Sequence, residues 1–265
     1  MPIARTLVKT EYCGGVATLT LTRPEKLNAL TSESFAELHD ALTEIAETPE
    51  CRVVIFTGAG SSFCAGLDLK TKFGGAWPGV VQDTYAAMRR AAAVIMLLRD
   101  MPQPVIAAVQ GNAVGAGFAF AAACDLRVVG HDAVFNPVFT KIGMSPGDLG
   151  LSWFLPRIIG PTAAAELFYL ADTMDADRAK ALGFANHVED DPLTKARELA
   201  QKMVARSPMG MRQAKELLNA SLGAGGFRQH LEIELRSQVI CSMTADHAEA
   251  KLAFGEGRTP VFTDT

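Results

Sequence analysis

The chain has 265 residues, 49% of them hydrophobic and 20% charged, with a formal net charge of -4. That length can bury a sizeable core, the composition excludes wholesale disorder, and the charge gives no general attraction to nucleic acid or anionic lipid. The five cysteines, Cys13, Cys51, Cys64, Cys124 and Cys241, are scattered without a CxxC pair, which argues against a disulfide framework or zinc site and for reduced thiols in a cytoplasmic compartment.

At the N-terminus Arg5 and Lys9 leave no apolar run long enough for a signal peptide. Val8 to Glu11 and Val16 to Leu21, separated by Cys13-Gly14-Gly15, predict a hairpin. Thr31 and Ser32 can cap a helix on which Phe35, Leu38, Leu42 and Ile45 follow a helical spacing. Val53 to Thr57 reads as a β-branched buried strand, and Val81 to Leu98 as a long helix. The stretch Val105 to Cys124 carries no charge and is long enough for a membrane span. Gln110-Gly111-Asn112 at its middle would leave backbone groups unpaired in lipid, so it reads as a strand (Val105 to Val109), a turn, and a buried helix from near Gly115. A further strand, Leu126 to Val129, follows Asp125, which caps or braces its start. This alternation argues for an α/β core. From about Asp191 four helices remain: Pro192 to Arg206, Pro208 to Ser221, Phe227 to Met243 and Asp246 to Phe254. The chain therefore divides into a core, 1–190, and a helical region, 191–265, whose apolar surface predicts packing on the core or on neighbouring subunits.

Two glycine-containing turns follow buried strands: Ser61 to Leu69 and Gly111 to Phe118. Small residues let a ligand approach the backbone, and a helix start leaves N–H donors unpaired. If both turns face one cavity, two main-chain N–H groups can meet one developing oxyanion; the alternative is that the glycines only permit tight helix–strand packing.

Four segments in this order carry a family resemblance: Arg23-Pro-Glu-Lys-Leu-Asn-Ala-Leu30, Phe63-Cys-Ala-Gly-Leu-Asp-Leu69, Pro104 to Gly117, and Cys124-Asp-Leu-Arg127. Together with Gly143-Met-Ser-Pro-Gly-Asp-Leu-Gly150, Leu155-Pro-Arg-Ile-Ile-Gly160 and Ala179 to Asn186, the chain resembles the crotonase (enoyl-CoA hydratase/isomerase) superfamily over essentially its whole length. The resemblance implies a spiral of βαβ units followed by a C-terminal helical trimerisation region, and a homo-oligomer, trimer or hexamer. It implies an acyl-CoA thioester as substrate, no separate cofactor because coenzyme A is part of that substrate, and neither nucleic acid nor membrane as partner. It assigns the two oxyanion donors to the N–H groups of Leu67 and Ala116, the latter standing where the family usually has glycine. Gly66 and Gly115 belong to the same turns. Ala65 resembles the residue whose backbone meets the adenine, and Arg23 and Lys26 flank the Asn28-Ala29 turn that lines the CoA channel. Lys26 reads equally as a phosphate contact or a solvated charge.

Hydratases of the family use two glutamates, and the matching positions hold Ala119 and Phe139, neither of which can transfer a proton. One carboxylate remains in a telling loop, Asp148, open to two roles that do not exclude each other: acid–base group, or N-cap of a helix from Leu149 to Ile158. The other candidates read as support. Asp68 orders the first turn, Cys64 has no histidine near it in sequence, and the histidines fall on exposed helix faces or turns without metal spacing. Phe139 and Trp153, with Phe73, Trp77 and Met88, are candidates for an apolar wall around the acyl group. The expected activity is isomerase-type proton transfer through a stabilised enolate rather than paired-glutamate hydration. The alternative is an acyl-CoA-binding paralogue with little turnover.

Overall fold

A computed structural model describes residues 5–71, 81–147 and 149–265 of the chain. Strands β1 (Val8–Cys13) and β2 (Val16–Leu21) pair antiparallel as the expected hairpin, with β1 two residues longer than its pattern predicts. Helix α1 (Ser32–Glu47) opens on a capping box, in which the Thr31 hydroxyl accepts from the Ser34 N–H and the Ser34 hydroxyl from the Thr31 N–H. Phe35, Leu38, Leu42 and Ile45 are buried, as their spacing requires. The chain continues through β3 (Val53–Gly58), α2 (Val81–Asp100), β4 (Val105–Val109), β5 (Asn112–Val114), α3 (Ala116–Ala123), β6 (Leu126–Gly130) and β7 (Val134–Asn136). Helices α4 (Leu151–Ile159) and α5 (Pro161–Leu170), strand β8 (Met174–Asp175), helix α6 (Ala176–Ala181) and strand β9 (His187–Glu189) lead to the helical tail. The tail holds α7 (Pro192–Val204), α8 (Pro208–Ser221), α9 (Phe227–Ser242) and α10 (Ala245–Glu256).

Among the described residues the strands form two sheets. The larger runs β1-β2-β3-β4-β6-β9 and is parallel after the first hairpin; the smaller runs β5-β7-β8. The larger sheet is covered on both faces, which explains why its strands are apolar runs rather than alternating ones. Val54, Phe56, Ala107 and Val109 face the main core with α1 and α3, while Val53, Ile55, Ile106 and Ala108 face Ala196 and Ala200 of α7. Period two sends neighbours to opposite sides. All eight residues of α3 are buried, so its lack of charge is explained by a helix enclosed on every side. No helix among the described residues is long and apolar enough to cross a membrane.

Two charged groups tie the layers together. The Asp125 carboxylate accepts from the Val105 N–H at 2.8 Å, pairs with Arg99 at 3.1 Å and meets Lys215 Nζ of α8 at 3.2 Å, so it braces the starts of β4 and β6 at once. Arg127, buried, donates to the carbonyls of Phe184 and Cys124 at 2.6 and 2.7 Å.

Two expectations are corrected. Helix α4 begins at Leu151, not Leu149, because Leu149 (φ 50°) and Gly150 (φ 75°) are both left-handed and cannot belong to a right-handed helix. Gly150 occupies the N-cap position of that helix; Asp148, the expected cap, lies outside the described residues. His187 lies half-buried in β9, paired to β6, rather than on a helix face or turn.

Candidate active site

The two glycine turns lie side by side, hydrogen-bonded to each other. The Phe63 N–H donates to Gln110 O, the Cys64 N–H to Asn112 O and the Val114 N–H to Cys64 O, at 2.8 to 2.9 Å. Contact this close is what two of the glycines are for. A Cβ on Gly117 would stand 2.3 Å from Cys64 O, and one on Gly66, whose φ is +84°, would stand 2.7 Å from Val114 O. On its other side the first turn is stitched to the segment before α1: the Leu30 N–H donates to Gly66 O and the Asp68 N–H to Leu30 O. In a parallel bridge of this kind the bonds come from the flanking residues, so the Leu67 N–H points away from Leu30. Among the described residues it has no acceptor, and neither has the Ala116 N–H, which as the first residue of α3 lacks an intrahelical partner.

Both residues border one cavity of about 190 Å³. Around it stand Phe35 of α1, Met88 and Ala91 of α2, and Val138, Phe139, Met144 and Leu149 from the region between β7 and α4. No described residue lining it is ionisable. An apolar cavity carrying two unpaired main-chain donors suits an oxygen atom that gains negative charge, because fixed dipoles need no reorganisation to meet it. Ala119 is fully enclosed and Phe139 is 4% exposed, so the two positions matched to acids present methyl and phenyl surface only. The Phe139 ring packs on the second turn, 3.8 Å from where a Cβ on Gly115 would lie.

The first turn is held by charge as well as by backbone. Arg23 donates to Ala29 O at 2.6 Å and pairs with the Asp68 carboxylate at 3.2 Å, and that carboxylate also accepts from the Lys70 N–H. Asp68 is therefore a brace of the turn, and Arg23 is its partner across 45 residues of sequence, a pairing with no local signal. Asn28, buried with φ 57°, accepts from the Arg23 N–H and donates to Ala59 O and Ser62 O, so it joins the two segments that carry the turn. Ala65 donates its N–H to Leu27 O, which sets the turn beside Ala29 and the exposed Lys26.

Cys64 is no nucleophile. It is fully enclosed, its sulfur accepts from the Gly66 N–H at 3.4 Å, and burial pushes its thiol up to about 12. Trp153 does not border the cavity. Leu151, Leu155 and Ile159 form the buried stripe of α4, which turns Trp153 outward, 44% exposed, with the Arg157 guanidinium 3.3 Å from its ring centroid. Phe73 and Trp77 lie outside the described residues, as does Asp148, which Met144 and Leu149 of the cavity wall bracket in sequence.

Residues 11–265 match the family model described as enoyl-CoA hydratase/isomerase. A Mycobacterium bovis protein named "Probable enoyl-CoA hydratase" is 36% identical over 257 residues, covering 94% of this chain and 90% of that protein. The 1,2-epoxyphenylacetyl-CoA isomerase of Escherichia coli is 34% identical over 253 residues, covering 94% and 95% respectively. Among solved structures, an enoyl-CoA hydratase from Bacillus anthracis superposes with a TM-score of 0.92 at 32% identity, covering 98% of this chain and 100% of that one.

Proposed function

The chain belongs to the enoyl-CoA hydratase/isomerase family and acts on an acyl-CoA thioester, and from that premise we propose that it works by isomerase-type proton transfer through a main-chain-stabilised enolate. The observation that carries this reading is the apolar cavity with two unpaired amides and no ionisable side chain among its described lining residues. In this reading the thioester oxygen lies between the N–H groups of Leu67 and Ala116, which the two unpaired donors on one cavity support. As a proton leaves the carbon next to the thioester, the C–H electron pair moves into the C–C bond and charge collects on that oxygen. Each donor is worth about 3 kcal/mol to the transition state.

Hydration requires a base to activate water and an acid to protonate carbon. With Ala119 and Phe139 at the positions of the paired glutamates, neither group is supplied there. Isomerisation needs one group that removes a proton from one carbon and returns it to another. Asp148 is the residue to which we assign this role, on the ground that Leu149 beside it and Met144 four residues before it line the cavity, and that a carboxyl is the group type able to remove and return a proton. The coenzyme A portion is assigned to the outer edge of the first turn, with Ala65 and Ala29 meeting it through backbone and Lys26 meeting phosphate.

Hydrogen exchange at the carbon next to the thioester, followed in deuterated water, tests this directly because it reports enolate formation whatever product results. Asp148→Asn is expected to keep acyl-CoA affinity and to lower exchange by about 100-fold or more, the usual scale for a general acid–base group. Exchange at the wild-type rate removes Asp148 from the mechanism. Binding without any exchange in the wild type, across several enoyl-CoA esters, favours a binding role over turnover.

A further inference from the structure

The acyl cavity is not the only opening between α1 and α2. A second cleft of about 300 Å³ lies between the same two helices, bordered by Ser32, Ala36, His39 and Asp40 of α1 and by Arg90 and Ala93 of α2. Among the described residues, Phe35 is the one side chain that borders both the cleft and the cavity. Helix α2 presents Met88 and Ala91 to the cavity and Arg90 and Ala93 to the cleft, two adjacent stripes three residues apart along each. The openings therefore run beside one another and meet at Phe35.

Packing holds Phe35 in place. Phe35 is 3% exposed and packs edge-on against Phe120, with ring centroids 6.1 Å apart, and Phe120 in turn rests on Phe56 of the central sheet. Behind it, Leu38, Leu42 and Ile45 anchor α1, and the capping box fixes the helix start one turn away. The two spaces also differ in character. The cavity wall is apolar, whereas the cleft carries exposed Arg90, His39 and Asp40 and opens to solvent.

We propose that Phe35 is a specificity-determining residue that closes the acyl cavity toward the α1–α2 cleft and so sets the longest acyl group the enzyme accepts. The inference rests on the acyl-CoA reading above. Methylenes added to the acyl chain gain affinity while they fill the cavity, by about fourfold each, and gain nothing once the chain meets the ring. Removing the ring joins the cavity to the cleft and lets a longer chain run between the helices, its far end reaching water beside Arg90.

Calorimetric titration with saturated acyl-CoA esters of increasing chain length tests this, using the wild type, Phe35→Leu and Phe35→Ala. Saturated esters separate the measurement from turnover. In the wild type, affinity is expected to rise with length and then stop rising at a definite length. In Phe35→Ala that break moves to longer chains and the longest esters bind at least about tenfold tighter than to the wild type, two or more further methylenes being buried. Phe35→Leu keeps an aliphatic wall and guards against a variant that does not fold; its break is expected between the other two. An unmoved break in either folded variant, or a wild-type affinity that climbs through the whole series, overturns the role of Phe35. A wild type that binds no ester of any length overturns the acyl-CoA reading instead, so the two failures are distinct.

Discussion

Cys64 belongs to the first turn and stands against the second, and burial outweighs the one hydrogen bond, from the Gly66 N–H, that favours its thiolate. Its thiol and that of Cys124 are each pushed up to about 12 by burial, so at pH 8 only about one molecule in ten thousand carries the thiolate that alkylating reagents need. Cys13, by contrast, is exposed. Mass spectrometry after iodoacetamide treatment of the native protein should show modification at Cys13 and none at Cys64 or Cys124 until the chain is unfolded. Rapid native labelling of Cys64 would mean that the two turns separate in solution. At Gly117 the constraint is steric, because the added methyl of Gly117→Ala meets the Cys64 carbonyl and Cβ at 2.3 and 2.8 Å. Overpacking of this kind typically costs 1–3 kcal/mol, about the range expected here, and the shift it forces moves the Ala116 amide next door. A lower denaturant midpoint together with slower α-proton exchange is the expected pair of results; an unchanged midpoint contradicts the packing argument.

At the level of elements, the C-terminal segment depends on a few charged contacts. Arg212 of α8 holds the Asp264 carboxylate by two bonds, at 2.8 and 2.6 Å, and Asp246 of α10 accepts from the N–H groups of Thr263 and Asp264. The hydrogen bond from Arg212 holds the Asp264 carboxyl below the usual aspartate value of 3.8. A folded value below the unfolded one means that the contribution is whole above pH 3.8 and is lost as pH falls through the depressed value. Limited proteolysis should therefore find the last residues protected at pH 5 and progressively cut below about pH 3.8, with Arg212→Ala cut at both. Equal protection of the variant and the wild type at pH 5 would show that this ion pair does not hold the tail. Elements differ in how far their sequence announces them. Strands β3 and β4 and helix α3 are legible because continuous apolar runs of the right length are enclosed on both sides. The three-stranded sheet is not, since β5, β7 and β8 have three, three and two residues, too few to display a period, and their partners are distant in sequence. The same holds for the site. Both turns are legible from their glycines, whereas the Arg23–Asp68 clamp and the outward turn of Trp153 depend on tertiary placement and on a helix start displaced by two left-handed residues.

The molecule as a whole leaves apolar surface uncovered at one end. On α9 and α10 and at the junction between them, Phe227, Leu235, Val239, Met243 and Phe254 are all exposed, Phe254 at 90%. Leu231, Leu235 and Val239 recur every four residues, which makes a stripe along α9 rather than scattered contacts. We propose that this stripe is the seam between copies of the chain, in a trimer or hexamer. Light scattering at micromolar concentration is expected to give a multiple of the 28.2 kDa chain mass, and Val239→Glu to lower it. A wild-type protein of single-chain mass counts against the seam.

The two amides that border the cavity belong to no side chain, and this changes what inheritance can act on. Replacing Leu67 or Ala116 by another ordinary residue leaves the N–H in place; only an imino acid removes it. Ordinary substitutions at these two positions keep the donor and act only through packing against the cavity and the core, while Gly66 and Gly117, which donate nothing to an oxyanion, admit no methyl without moving the backbone beside a donor. In a library of all single substitutions, Gly66 and Gly117 would reject even a methyl, whereas Leu67 and Ala116 would be ranked by the size of the new side chain rather than by its chemistry.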